Sequence, residues 1–148
     1  MKKNIIVMAT AGMLLAAFAA SARDTLVEQS FAQLLASPEA QAAGIDGSVR
    51  FYLAGQPHPK VLQSLGGDRS NKKTNAANKS DQAACAHAAL SVLRAFQDKA
   101  KSLGANAVVD MVSLTNSGEI SSSTNYSCRA GSIIAGVAMK GSYAKIGK

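Results

Sequence analysis

The apolar positions change their period several times along the chain, and each change marks an element. Ile5 to Ala20 is an apolar run broken only by small residues such as Thr10 and Gly12. Lys2 and Lys3 precede it, and Ala20-Ser21-Ala22 places small residues at both positions a signal peptidase reads. A positive start, an apolar stretch too short to span a bilayer and a small-residue cleavage motif form the layout of a secretory signal. We therefore expect residues 1–22 to be a cleaved signal peptide and residues 23–148 a single exported domain.

Beyond Arg23 and Asp24 the pattern becomes amphipathic. Leu26, Phe31, Leu34 and Leu35 give Thr25 to Ala36 a partial helical stripe. Ser37-Pro38-Glu39 has a cap residue followed by proline, which starts a short helix reaching about Ala43. Gly44 and Asp46-Gly47 end it in a turn. Val49 to Leu53 is β-branched and aromatic, and so is expected to be a strand. Pro57 and Pro59 force an extended link around His58. Val61 to Leu65 reads as a second strand ending at Gly66-Gly67. The following segment, 68–80 (DRSNKKTNAANKS), has no large apolar side chain to bury and is expected to be a surface loop.

The strongest helix follows, capped by Ser80 or Asp81. Cys85, Ala88, Ala89, Val92, Leu93, Phe96, Ala100 and Leu103 recur at helical spacing, and Gly104 supplies the stop. Ala105 to Leu114, Ile120 to Cys128 and Ser132 to Met139 read as three further strands, with Gly136 marking a bulge or a close backbone approach. Gly141 to Lys148 reads as a tail with little to anchor it. The order predicts an α+β fold: a mostly antiparallel sheet with one long helix packed on a face.

Charge and cysteine content narrow the class. The chain has 148 residues, with 16 Lys and Arg against 9 Asp and Glu. Two of the cations lie in the expected signal, so the exported part is moderately basic and suited to anionic envelope surfaces. Its cations are scattered without interleaved aromatics, which argues against nucleic acid as a partner. No cysteine follows the apolar run, so no lipid anchor is expected, and no second segment is long enough to span a membrane. The two cysteines, Cys85 and Cys128, read as a disulfide in an exported chain, with a pair of free buried thiols as the alternative.

The helix end Lys99-Ala100-Lys101, the run Leu103-Gly104-Ala105-Asn106-Ala107-Val108, and then Cys128, Gly136 and Ala138 resemble the family of YbjQ and of the envelope-stress lipoprotein RcsF. The resemblance covers about residues 83–140. It implies a helix turning through a GANAV motif into a strand, then a hairpin ending in an apolar strand with a glycine. It also implies a bond between Cys128 and the cysteine of the long helix, Cys85. The family's second disulfide is absent, since Ser113 and Ile134 stand near its positions, and so is the lipid-attachment cysteine. The whole exported part, including QPHPKVLQSLG and CRAGSIIAGVAMKG, is similar to small exported proteobacterial proteins that bear the label excinuclease ATPase subunit. The residues argue against that activity. No phosphate-cradling G-x-x-x-x-G-K-[ST] loop is present, and Gly136 to Gly141-Ser142, the nearest approach, lacks the lysine. There are no CxxC pairs for zinc either.

Candidate chemistry is sparse. Cys85, His87, Cys128, His58 and Asp110 are the conceivable metal ligands, but Cys85 and His87 are two apart on a helix and point about 200° apart. Oxidised cysteines would also be lost as ligands. We expect no metal and no cofactor. No G-x-S-x-G elbow accompanies the two histidines, and no catalytic residue is expected. Arg69, Lys72, Lys73 and Lys79, interleaved with Asn71, Asn75 and Asn78, form a candidate loop for docking an anion or a partner. The resulting expectation is a non-catalytic periplasmic binding or interaction module, whose partner is an envelope protein or an anionic envelope component. A metal- or small-ligand-binding domain and an enzyme of another type are the alternatives. Self-association stays open, because the sheet is expected to expose an edge and YbjQ-like proteins form rings.

Overall fold

The computed structural model describes residues 23–148; the expected signal segment lies outside the described residues. In chain order the elements are β1 (Thr25–Ser30), α1 (Phe31–Ala36), α2 (Pro38–Ala42), β2 (Arg50–Leu53), β3 (Val61–Asn75), α3 (Asp81–Leu103), β4 (Ala107–Thr115), β5 (Gly118–Ile120), β6 (Asn125–Ala130) and β7 (Ile134–Ile146). The class is α+β. Every strand pairing is antiparallel except β2 with β4.

β7 is the spine of the sheet. One edge pairs with β3 over its whole length, from Val61 opposite Ile146 to Asn75 opposite Ile134. The other edge takes β6 at Gly136 and Ala135, then β4 from Met139 to Ala144. β1 extends the sheet beyond β6, and β2 extends it beyond β4.

α3 lies across one face. The Ser80 side chain accepts a hydrogen bond from the Ala83 amide at 3.1 Å, and Gly104 closes the helix in the left-handed region at φ 71°. Its buried stripe, including Cys85, Ala88, Ala89, Val92, Leu93, Phe96 and Ala100, meets Met139, Val137, Tyr143 and Tyr126 of the sheet. Leu103, expected in that stripe, is instead exposed at the helix end. Cys85 and Cys128 are bonded, with Cα atoms 5.8 Å apart, and so fasten α3 to β6 inside the core. At the helix start the Arg23 guanidinium grips both carboxylate oxygens of Asp81 at 2.8 and 2.9 Å. That hydrogen-bonded contact holds the Asp81 carboxyl below its ordinary range.

Four sequence expectations are corrected. Ile120–Cys128 is not one strand, because β5 ends at Ile120 on β4 and β6 begins only at Asn125. Thr25–Ala36 is not one helix, because Thr25 to Ser30 pair in register with β6 and only Phe31 onward is helical. Cross-strand pairing overrides a weak helical period. Segment 68–80 is not all loop, because β3 runs on to Asn75. An edge strand needs backbone bonds to one neighbour and can carry polar side chains on its exposed parts. Residues 141–148 are not a tail, because β7 continues to Ile146 and buries Tyr143, Ala144 and Ile146. The Asn106 side chain brackets that end, accepting from the Ile146 amide at 2.8 Å and donating to its carbonyl at 3.1 Å.

Candidate functional site

Beside its sheet-facing stripe, α3 lines an open groove with exposed Ala83, half-buried Ala86 and Ala95, and Leu90, which is itself buried with the core. Ala83, Ala86 and Leu90 recur at helical spacing, whereas Ala95 lies about 140° round the helix from Leu90. α2 forms one bank with Ala42, Ala43 and Glu39, and Lys72 and Lys79 stand on the other. The result is an open groove of about 950 Å³ with an apolar floor.

Local sequence fixes α2 against α3. Ser37 caps α2 and Pro38 occupies its first turn. Gln97, buried in α3, donates to the Gly44 carbonyl at 2.7 Å and accepts from the Asp46 amide at 3.2 Å. Arg94 donates to the Ala43 carbonyl at 3.1 Å while its Nε bonds Asp98 at 3.0 Å. Lys101 bonds Asp46 at 2.6 Å, and this hydrogen bond holds the Asp46 carboxyl well below the carboxylate range. A side chain at Gly44 would collide with the Arg94 guanidinium, so the glycine there gives Arg94 its path to Ala43.

The four expected basic residues separate. Lys72 pairs with Val137 and Lys73 with Gly136, so strand alternation sends the two lysines to opposite faces. Lys72 and Lys79 join His87 and Arg94 around the groove. Arg69 and Lys73 lie on the far face of the sheet, in a depression of about 430 Å³ with Asn71, Asn116 and Arg129. The single loop foreseen from the sequence is therefore two sites. Among the described residues, none of Arg69, Lys72, Lys73 and Lys79 forms a salt bridge.

The other candidates have structural surroundings. His58 packs its ring on Tyr52 with centroids 5.5 Å apart, and its Nδ1 lies 2.7 Å from the Pro59 carbonyl oxygen. Asp110 sits on the β4 bulge, exposed, at φ 54°. Among the described residues no three His, Cys, Asp or Glu side chains converge as metal ligands. Tyr143, packed against Phe96, donates to Asp68 at 2.8 Å, and burial together with that bond pushes its phenol up. No helix among the described residues is long and apolar enough to cross a membrane.

The sequence did not single out Arg94, Leu90, Glu39 or Arg129. Only Leu90 carried a signal: it is a large apolar residue off the main stripe of α3, and it is buried with the core. Arg129 carries no such mark, because only the β6–β7 register places it beside Gly136.

No family model matches the chain, and neither a curated protein nor a solved structure does.

Proposed function

We propose that the exported chain is a non-catalytic interaction module of the bacterial envelope, working in the periplasm, of the RcsF and YbjQ type. It docks an apolar segment of a partner protein, flanked by acidic residues, in the groove between α2, α3 and β3. The observation that carries this reading is the groove itself: an alanine and leucine floor rimmed by Lys72, Lys79, His87 and Arg94, with Glu39 and Asp98 as its acidic members. An apolar floor gives area for burial, and the rim cations select and steer an acidic partner. The disulfide in the core supports an oxidising compartment. His58 and both cysteines have structural partners, which leaves His87 as the histidine on the groove.

The test is a photo-reactive residue at exposed Ala83 on the groove in cells that export the protein, with the same probe at exposed Lys99 as the reference. A cross-linked protein partner specific to position 83 is expected, its yield falling about tenfold or more when Lys72 and Lys79 are both changed to Glu. Cross-links of equal yield at both positions, or indifferent to the two lysines, overturn the reading.

A further inference from the structure

The far face of the sheet, which α3 does not cover, has its own construction. In the register of β3, β7 and β6, Lys73 stands opposite Gly136 and Gly136 stands opposite Arg129. One row across three strands therefore reads cation, glycine, cation. The two outer backbones lie two strand spacings apart, about 10 Å. Gly136 has no side chain to fill the interval, and Ala138 next along β7 fills little. The Lys73 stem passes close above Gly136, its Cγ 3.4 Å from where a Cβ would stand. Asn71 and Asn116 border the same depression with side-chain amides.

Two features describe the cation at its centre. The Arg129 Nε is shielded from solvent and has no hydrogen-bond partner among the described residues. Its guanidinium approaches Asp24 only at 3.8 Å, beyond hydrogen-bond length. Asp24 is the one carboxylate in the depression, against Arg69, Lys73 and Arg129. Shielded guanidinium donors without acceptors are uncommon, because the lost hydration is not returned. An oxyanion between Lys73 and Arg129 would meet the solvent-facing donors of the half-exposed guanidinium on one side and the ammonium on the other.

We propose that this depression is an anion site for a phosphate group, seated over Gly136 between Lys73 and Arg129. It is separate from the groove on the α3 side, since the whole sheet lies between them, and it stands or falls independently of the function proposed for that groove. A phosphorylated headgroup and a free phosphate compound share the chemistry the site reads.

The test is titration of the processed, disulfide-bonded protein with inorganic pyrophosphate, followed by amide NMR shifts at constant ionic strength. Saturable shifts centred on Lys73, Gly136 and Arg129 are expected. Lys73→Glu should weaken binding by about tenfold or more, through loss of one charge-assisted bond and addition of a like charge. Gly136→Val should do the same by filling the floor; its Cβ meets the lysine at ordinary contact distance and valine suits a strand, so the fold is retained. Lys99→Glu, an equal charge change on α3, should leave the shifts in place. Sedimentation with phosphatidylglycerol vesicles, compared with phosphatidylcholine vesicles, separates the two sources. Lys73-dependent pelleting assigns the headgroup, and pyrophosphate binding without pelleting assigns the soluble compound. The proposal is overturned by shifts that do not saturate, that spread over all surface cations, or that persist in both Lys73→Glu and Gly136→Val.

Discussion

Two glycines of β7 show how differently the same residue type can be used. Gly136 opens toward solvent, whereas Gly141 faces the core opposite the β4 bulge. A Cβ at Gly141 would stand 2.8 Å from Val108 Cγ1 and 3.0 Å from Met111 Cγ, both fully buried. Neither neighbour can move without displacing others, because interiors are close-packed. We therefore expect Gly141→Ala to destabilise the protein by about 1–3 kcal/mol. A lowered urea midpoint with an unchanged slope is the signature. A midpoint equal to that of the parent would show that β4 does not approach β7 as closely as described. The sequence pointed to Gly136 as a bulge or a close approach, of which the unbroken register at Gly136 leaves the approach, but gave no such sign at Gly141. The difference is that Gly141 is constrained by residues thirty positions away in the chain, and no local pattern carries that information.

Among the elements, β3 departs furthest from expectation. Its second half, DRSNKKTN, has the composition of a loop and the pairing of a strand. Composition indicates what a segment can bury, and an edge strand needs to bury little; its stability comes from backbone bonds to β7 and from the side chains that face α3. This difference has a direct consequence for amide exchange. Across Asp68 to Asn75, alternate amides point at β7 and should be protected, while the ones between face outward and should exchange rapidly. Uniformly fast exchange through this stretch would restore the loop. The same alternation is what divides the basic residues into two sites. A loop would have left Lys72 and Lys73 on one surface, and the strand puts them on opposite faces. α3, by contrast, was legible almost entirely, because its cap, its stripe and its glycine stop are all written within its own length.

For the whole molecule, the disulfide cross-links the long helix to the sheet. It spans 43 positions, from Cys85 to Cys128. Closing a loop of that length restricts the unfolded chain by roughly 4 kcal/mol in the chain-entropy account. For a domain of this size the corresponding fall in melting temperature is roughly 15 °C. We expect the Cys85→Ala, Cys128→Ala double variant to fold and to melt lower by that order, read by thermal unfolding against the oxidised parent. A fall of only a few degrees would mean that packing of α3 on Met139, Val137 and Tyr143 secures the helix without the bond. Because the groove and the phosphate depression lie on opposite faces of the sheet, Lys72 and Lys73 variants should act separately on the two.

The sequence by itself determined the α+β class, the long helix with its caps, the strands that carry β-branched or apolar runs, and the cysteine pairing. Each of these is set by short-range periodicity, by cap and turn chemistry, or by there being only two cysteines to join. Tertiary structure alone decided that Thr25 to Ser30 is a strand, that β3 and β7 run to Asn75 and Ile146, and which face each basic residue occupies. Those outcomes depend on the register of strands far apart in the chain. A shift of one residue would exchange the faces, and nothing within a single polar segment fixes that register.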